Sequence, residues 1–233
     1  MILKLLRTLK RRFRQLIGQE VTVTIDTGCP TEFHGSTYGG WAVLRDSLDA
    51  GSVVYSFGVG EDATFDLALI ARYGCRVHAF DPTPKSAAWV AENIREGRFI
   101  FDPVALSDRD GDLRLYLPLD PTHVSASLAV GSRTGGAYFD APCQRLETIR
   151  RRLGHSRIDV LKMDIEGAEY LVLRDLLAEG RAVRPAQLLI EFHHWMKPFS
   201  VADTNGALAL LRRAGYRPIW RSEGGHELLF VAS

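Results

Sequence analysis

A glycine turn and an aspartate, each following an apolar strand, are the residues of this chain best suited to chemistry. The turn, Ser56-Phe57-Gly58-Val59-Gly60-Glu61-Asp62, joins an apolar strand to a helical pattern over 62–73, and a second strand, 76–80, ends at Asp81. Parallel strands bring such a turn and a carboxylate to one sheet edge, where the backbone approaches a nucleoside and the carboxylate accepts ribose hydroxyls. The spacing predicts a nucleoside site without saying which nucleoside.

Three carboxylates follow the buried strand 158–163 within six residues, namely Asp164, Glu166 and Glu169. Acids near the start of a helix are each stabilised by about 0.3–1 kcal/mol through the helix dipole. We interpret Glu169 in this way, or as the partner of an arginine such as Arg174. Asp164 leaves the strand directly into the expected cleft, and we predict that it is functional.

The strand 187–192 ends in Glu191, with His193 and His194 close behind. Because histidine titrates near neutrality, this group offers a general base, and we favour His193 over His194. A core histidine bonded to the backbone is the alternative interpretation. A metal site shared with Asp164 is chemically feasible, but neighbouring residues on a strand point to opposite faces. We therefore predict no metal.

The elements that must position these residues follow from the apolar periodicity. Five β/α steps precede a hairpin of strands 216–221 and 227–232. This order predicts an α/β fold, with a mostly parallel twisted sheet, an antiparallel C-terminal edge hairpin and helices on both faces. We expect residues 20–40 to approach the site as a loop and 41–48 to form a short helix. Residues 118–141 are expected to form a polar lid, whose candidate substrate contacts are His123, Ser125 and Ser127, with an ordinary flexible surface loop as the alternative.

Composition limits the partners. Residues 1–20 carry six basic side chains and one acid, so the remaining residues have a net charge of −4 within a chain of net charge +1. An acidic body without basic residues interleaved with aromatics argues against nucleic acid. The basic, amphipathic pattern of 1–17 suits contact with an anionic membrane surface or a partner subunit. We expect a helix over 1–20, a domain over 21–233 and a cytoplasmic protein, since its three cysteines have no disulfide or zinc spacing.

Together these blocks resemble the FkbM-type family of S-adenosylmethionine-dependent methyltransferases over about residues 38–232. The most specific part is Ile158-Asp159-Val160-Leu161-Lys162-Met163-Asp164-Ile165-Glu166-Gly167-Ala168-Glu169, which is similar to the family's apolar strand followed by D-x-E-G-x-E. Supporting segments are 104–108 with Gly111, 142–146, 190–193 and 227–231.

The resemblance implies a Rossmann-like class I methyltransferase that binds S-adenosyl-L-methionine. Gly58 and Gly60 would pass beneath its methionine part, Asp81 would take the ribose, and residues from Asp102 to Ser107 would border the adenine. The full implied cofactor set is Ser56, Gly58, Gly60, Glu61, Asp62, Asp81, Pro82, Asp102, Ala105 and Asp164. Methyl transfer to an oxygen of a small polar or saccharide acceptor would use Asp164, His193 and Glu191 as the catalytic candidates.

The turn departs from the family pattern of an acid followed by G-A-N-x-G. Ser56 takes the place of the acid, Gly60 that of the asparagine and Asp62 that of the last glycine. This change leaves open whether Glu61 or Asp62 meets the cofactor's ammonium group. Two other functions remain open, a nicotinamide-dependent oxidoreductase and a non-catalytic scaffold that docks through residues 1–17.

Overall fold

The computed structural model describes residues 13, 15, 20–120, 126–128, 134–180 and 183–232. Within these residues there are twelve strands and five helices. The strands are β1 (Thr31–His34), β2 (Trp41–Leu44), β3 (Val53–Phe57), β4 (Arg76–Phe80), β5 (Phe99–Asp102), β6 (Ala105–Leu106), β7 (Gly111–Pro118), β8 (Thr134–Gln144), β9 (Val160–Met163), β10 (Gln187–Glu191), β11 (Tyr216–Arg221) and β12 (Glu227–Ala232). The helices are α1 (Thr64–Tyr73), α2 (Pro84–Asn93), α3 (Leu146–Arg152), α4 (Glu169–Leu176) and α5 (Val201–Arg213).

The main sheet has seven strands in the order β11-β12-β10-β9-β3-β4-β5. Strands β5, β4, β3, β9 and β10 run parallel to one another, and β12 runs antiparallel to both β10 and β11. The chain proceeds from β3 outward to β5 and later returns to place β9 on the other side of β3. Such a change of direction opens a crevice at the carboxyl ends of the strands, where ligands bind. The predicted α/β class, with its C-terminal hairpin, is confirmed.

Helices cover both faces of this sheet because its strands are apolar on both sides. On one face, Tyr55 and Phe57 of β3 pack in a cluster with α3, α4 and α5. On the other face, Val54 of the same strand packs in a cluster with α1, α2 and the β1–β2 hairpin. Since alternate residues of one strand serve two cores, the ends of β3 and its neighbours are held firmly in place.

The short helix predicted over 41–48 is wrong, because Trp41–Leu44 is strand β2. It pairs antiparallel with β1, and Trp41, Ala42 and Val43 are buried against the sheet. A run of four apolar residues does not distinguish a helix from a strand by itself. The partner strand, Thr31–His34, decides the outcome.

The long polar lid predicted over 118–141 is also partly wrong. From Thr134 onward this segment is strand β8, which pairs with β7 and β6 in a second, three-stranded sheet. The cross-strand neighbours Arg114 and Asp140 form an ion pair of 3.0 Å. Of the predicted lid contacts, His123 and Ser125 lie outside the described residues.

The helix predicted over 1–20 also lies outside the described residues, apart from Phe13, Gln15 and Glu20. Among the helices that the structure describes, none combines the length and apolar character that crossing a bilayer requires.

Candidate functional site

A cavity of about 720 Å³ opens at the carboxyl ends of β3, β4, β9 and β10. Its size lies within the usual range for small-molecule sites. The residues lining it include seven acids, whereas Lys162 and His193 are the basic residues among them. The acids are Glu61, Asp62, Asp81, Asp164, Glu166, Glu191 and Glu227. A wall of this composition favours a ligand that carries positive charge.

The glycine turn forms the floor of the cavity. Gly58 has a φ of +85°, and a Cβ added there would lie 1.8 Å from the carbonyl oxygen of Asp164. Glycine is therefore required at this position by both conformation and space. Gly60 has a φ of +57°, but an added Cβ would meet nothing within 4 Å. The turn thus leaves open room directly above Gly60.

Asp81 stands opposite the turn, as the sequence predicts. Its Oδ2 accepts a hydrogen bond of 2.9 Å from the backbone N–H of Gly60. Its Oδ1 accepts hydrogen bonds from the N–H and the hydroxyl of Thr83, at 2.9 and 2.6 Å. These bonds fix the carboxylate in one orientation at the cavity wall, where its remaining lone pairs are available to a ligand.

A buried charge lies beneath the turn. The ammonium of Lys162, on β9, donates a hydrogen bond of 2.6 Å to the carbonyl oxygen of Gly58. Asp66 of α1 is buried nearby, and its burial raises its pKa to about 6 against the opposing effects of Lys162 and the Ser56 hydroxyl. Ser56 is fully buried beside these groups and does not line the cavity. An acid from α1 thus stands near the position where the family pattern has an acid on β3.

The two acids of the turn have different surroundings. Asp62 accepts hydrogen bonds from the Ser36 hydroxyl at 2.7 Å and from the Thr64 N–H at 2.8 Å, so it joins the β1–β2 loop to the start of α1. Although burial acts in the opposite direction, these bonds lower the pKa of Asp62. Glu61 forms an ion pair of 3.1 Å with Lys85 at the cavity rim. Both acids line the cavity.

The apolar end of the cavity includes Pro82 and Ala105, two of the predicted cofactor residues. Asp102, predicted to border the same ligand, does not line the cavity, and its carboxylate instead pairs with Arg152 at 2.5 Å. Asp102 is the last residue of β5, and the cavity wall is formed by the residues that follow it. The apolar side chains here are those of Val104, Ala105, Leu106, Leu113, Leu115 and Ala126.

His193 is the buried centre of the acidic group. Glu169 is fully buried, and its Oε1 accepts a hydrogen bond of 2.8 Å from the backbone N–H of His193 and lies 3.0 Å from its Nδ1. Burial lowers the pKa of His193, but the carboxylates of Glu169, Glu166 and Asp164 outweigh it and raise the pKa to about 10. The net direction is thus set by the surrounding carboxylates and not by burial.

Three further carboxylates face the other ring nitrogen of His193. From its Nε2 the distances are 3.5 Å to Oε2 of Glu166, 3.7 Å to Oδ1 of Asp164 and 4.0 Å to Oε1 of Glu191. Burial and the Asp164 carboxylate raise the pKa of Glu191 well above its usual range. The three predicted catalytic candidates, Asp164, Glu191 and His193, therefore lie together at one end of the cavity.

Several residues of the site were missed or misinterpreted in the sequence. Glu169 begins α4, as a helix-dipole acid would, but its carboxylate binds His193 rather than Arg174. Lys162 is the single cation of an apolar strand, and a lysine in such a position indicates a buried partner. Trp195 and Glu227 also line the cavity, and neither is among the predicted site residues. The residues of the β1–β2 loop at the cavity, which agree with the predicted approach loop, are Thr37, Tyr38, Gly39 and Gly40.

Comparisons with known proteins identify the family of this chain. A family model described as the methyltransferase FkbM domain matches residues 49–218. Methyltransferase-like protein 24 of Homo sapiens is 33% identical over 144 residues, which are 61% of this chain and 33% of that protein. Its counterpart in Rattus norvegicus is 34% identical over the same extent. The match thus spans about a third of the length of these curated relatives.

Among solved structures, similarity is found to a chain of the complex between the Haloferax volcanii Trm112 methyltransferase activator and a methyltransferase. That chain is 14% identical, has a TM-score of 0.42, and the match covers 80% of this chain and 84% of that one. The evidence for the family comes instead from the FkbM domain model, which spans well over half of the chain and includes β3, β4, β9 and β10. The chain belongs to the FkbM methyltransferase family.

Proposed function

We propose that this protein is an S-adenosyl-L-methionine-dependent O-methyltransferase that acts on a hydroxyl group of a small polar or saccharide acceptor. The observation that carries the proposal is the acidic cavity at the point where the strand order reverses. The sulfonium and ammonium groups of this cofactor are both cationic. Seven lining carboxylates against two basic residues suit such a ligand.

The same charges disfavour a nicotinamide dinucleotide, the alternative ligand of a glycine turn. Its pyrophosphate would carry negative charge to the turn, where Glu61, Asp62 and Asp81 line the cavity. Lys162, the lysine of the wall, already donates a hydrogen bond to the Gly58 carbonyl. Because like charges at such distances repel, we infer that the turn is adapted to a cofactor without phosphates.

The residues present fit S-adenosyl-L-methionine. The open room above Gly60 would accept its methionine part, and the fixed carboxylate of Asp81 would accept the ribose hydroxyls. The apolar wall around Ala105 would contact the adenine, and Asp164 would lie near the sulfonium. When bound, the cofactor supplies a methyl group whose bond to sulfur breaks, with its electron pair passing to sulfur, as the acceptor oxygen bonds to the carbon.

The chain's own contribution is to position the acceptor and to assist the loss of its proton. The carboxylates around His193 raise its pKa, which makes it a poor general base, and its Nε2 instead faces the cavity. Asp164 and Glu191 remain the candidates to hold the acceptor hydroxyl, whose proton leaves to solvent. Trp195 is about one-third exposed at the cavity, beside His193, and offers an aromatic face to a sugar ring.

The first test is calorimetric titration of the purified protein with S-adenosylhomocysteine and, separately, with NAD. We expect micromolar binding of S-adenosylhomocysteine. Asp81→Ala should weaken it about 10-fold to 100-fold, because hydrogen bonds to a charged group contribute about 1.5–3 kcal/mol. The matched control is Asp102→Ala, which removes the same group at the end of the next strand, outside the cavity.

A preference for NAD would contradict the proposal. Binding of neither ligand would favour the non-catalytic scaffold. If S-adenosylhomocysteine binds, incubation with S-adenosylmethionine and a panel of hydroxylated acceptors, followed by mass spectrometry, tests the reaction. Methylation confined to nitrogen or carbon acceptors would contradict O-methyl transfer.

A further inference from the structure

The acidic end of the cavity has the features of a cation site. Ligand atoms from Asp164, Glu191 and His193 all lie within 4.8 Å of one another. Glu191 ends β10 and His193 lies two residues further on, and the 4.0 Å between Oε1 of Glu191 and Nε2 of His193 shows that both side chains face the same side. The sequence-based objection to a metal, that neighbours point to opposite faces, therefore does not apply to this pair. Asp164 arrives from the adjacent parallel strand, β9.

The separations between these atoms suit one ion. Ligands held at about 2.1–2.2 Å from an octahedral cation lie roughly 3.0–4.4 Å apart, depending on the angle between them. The distances from Nε2 of His193 to the Asp164 and Glu191 oxygens, 3.7 and 4.0 Å, fall in that interval. The third pair, the carboxylates of Asp164 and Glu191, lies within 4.8 Å.

The orientation of His193 is an independent observation that points to a ligand. Its side chain is only 3% exposed, and Glu169 holds its Nδ1 side, so Nε2 is aimed into the cavity. Among the residues that the structure describes, Nε2 has no hydrogen bond of ordinary length, since the nearest carboxylate oxygen is 3.5 Å away. A buried carboxylate that orients an imidazole in this way is typical of histidines that bind metals.

A second independent observation comes from the sheet. Glu191 of β10 lies directly opposite Glu227 of β12 in the antiparallel pair, and both line the cavity. Like charges directly opposite each other destabilise a sheet. A cation in front of Glu191 would offset that repulsion. The lysine of the cavity wall, Lys162, does not serve as that cation, because its ammonium is bound to the carbonyl oxygen of Gly58.

We propose that Asp164, Glu191 and His193 bind a divalent cation of the Mg²⁺ or Mn²⁺ class. Oxygen ligands with one imidazole suit these hard ions better than thiophilic ones. The inference extends the proposed function, because an ion here would attract the hydroxyl oxygen of the acceptor and favour loss of its proton to water. Cation binding itself does not depend on methyl transfer.

The test uses the full chain, freed of metal with a chelator and dialysed, and titrated with Mn²⁺ under electron paramagnetic resonance. We expect one site, with nitrogen coupling from an imidazole in the pulsed spectrum. Glu191→Gln should weaken Mn²⁺ binding at least 10-fold, and His193→Gln should also remove the nitrogen coupling. Glu61→Gln is the matched control, because it neutralises an acid of the same cavity that pairs with Lys85 at the rim.

Absence of Mn²⁺ and Mg²⁺ binding at millimolar concentration, or equal binding by Glu191→Gln and the wild type, would overturn the inference. Circular dichroism and urea denaturation of each variant show whether it is folded, and S-adenosylhomocysteine titration of the wild type tests the cofactor site separately. If S-adenosylhomocysteine binds but Mn²⁺ does not, the cation site is wrong and the proposed function stands. If Mn²⁺ binds but S-adenosylhomocysteine does not, the proposed function is wrong and the cation site stands.

Discussion

At the scale of single residues, Lys162 links the buried charges to the glycine turn. A lysine ammonium is rarely buried without a partner, because removing it from water is costly. Here the group is 5% exposed and is satisfied by the Gly58 carbonyl, with the buried acid Asp66 as the opposing charge. Lys162 of β9 therefore bonds to the turn after β3 and acts electrostatically on Asp66 of α1, directly below the candidate cofactor site.

Lys162→Met should reduce both stability and cofactor affinity. The change leaves Asp66 buried without its opposing charge and the Gly58 carbonyl without its donor, so we expect a loss of about 2–4 kcal/mol in the free energy of unfolding. Affinity for S-adenosylhomocysteine should fall about 10-fold, because the turn loses its support. Urea denaturation and calorimetry provide the two measurements. Lys85→Met, which removes a partly exposed ion pair with Glu61, should cost under about 1 kcal/mol.

The two glycines of the turn should respond differently to alanine. Gly58→Ala would place a Cβ 1.8 Å from the Asp164 carbonyl oxygen, so the backbone must move, and we expect at least about 3 kcal/mol of destabilisation. Gly60→Ala meets open space and carries only the conformational cost of a left-handed residue, about 1–2 kcal/mol. Chemical denaturation of both variants checks this, and equal losses would contradict the structural difference between the two positions.

At the scale of elements, the β1–β2 loop is fastened over the cavity by one serine. The Ser36 hydroxyl donates to Asp62 and accepts hydrogen bonds from the N–H groups of Tyr38 and Gly39, at 3.1 and 2.8 Å. Residues 37–40 line the cavity, so the serine determines how this loop meets a ligand. The loop contributes to the site through backbone and position rather than through a catalytic side chain.

Ser36→Ala should loosen the loop while the fold remains intact. Loss of these hydrogen bonds should lower the free energy of unfolding by about 1 kcal/mol and weaken S-adenosylhomocysteine binding several-fold. Hydrogen exchange of the amides in 35–40 should become faster. Ser47→Ala, which removes a hydroxyl beyond the other end of the hairpin, is the control. Unchanged exchange in Ser36→Ala would show that other contacts hold the loop.

At the opposite edge of the sheet, where the strands begin, a buried histidine should make the protein less stable at acid pH. Burial, with smaller effects from His155 and Arg76, lowers the pKa of His78 on β4 to about 4. The unfolded chain binds a proton near pH 6.5. Because the unfolded chain takes up this proton first, the free energy of unfolding is unaffected by His78 above pH 6.5 and decreases as the pH falls from 6.5 toward 4.

His78→Leu should reduce this acid-dependent loss. The wild type is expected to lose about 1–3 kcal/mol through His78 between pH 6.5 and 4, and the variant should lose correspondingly less. Urea denaturation at several pH values measures the slopes. His155, whose pKa burial also lowers, accepts or donates a bond of 2.7 Å with Tyr55 and should contribute a residual slope in the variant. If the free energy of unfolding fell equally with pH in the wild type and the variant, His78 would not be the cause of the acid-dependent loss.

The predictable elements were those whose own sequence specifies them. Strands 76–80, 216–221 and 227–232 agree with the structure to the residue, because each is a short segment bounded by turn residues. Strands β2 and β8 were not predicted, since their conformation depends on pairing with β1 and β7. Such pairing is a tertiary effect that the local sequence signals weakly.

The residues of the site also divide into those predictable from local sequence and those that depend on tertiary packing. The glycine turn and Asp81 belong to one continuous β-turn-α-β unit, so their proximity follows from spacing. The bond between Glu169 and His193 joins residues on α4 and after β10, and it depends on how β9 and β10 align. Asp102 was misplaced for a related reason, because only the structure shows where the chain turns away after β5.

At the scale of the whole molecule, charge is segregated. The acidic wall faces the cavity, whereas ion pairs such as Arg145 with Asp175 and Arg150 with Glu147 lie among the helices. A field of one sign concentrated in a concave site attracts oppositely charged ligands more strongly than the same charges spread over a surface. The small net charge of the chain, +1, does not reveal this arrangement.

This segregation predicts a salt effect that differs between two nearly identical ligands. S-adenosylmethionine carries one positive charge more than S-adenosylhomocysteine, so its affinity should depend more strongly on the acidic wall. The ratio of the two affinities should fall several-fold as ionic strength rises from about 0.05 M to about 1 M, because the screening length shortens to about 3 Å. Competitive calorimetry measures the ratio, and a constant ratio would show that the wall does not distinguish the sulfonium.

The insertion of β12 between β10 and β11 has a consequence for the order of events during synthesis. β10 has β9 on one side, but its other edge has no partner until residues 227–232 emerge from the ribosome. A nascent chain that ends before Glu227 therefore exposes an apolar strand edge, the kind of surface that recruits chaperones or promotes aggregation. The same late strand brings Glu227 to the cavity. In nascent chains of increasing length, ligand binding and burial of the β10 edge should therefore appear at the same length.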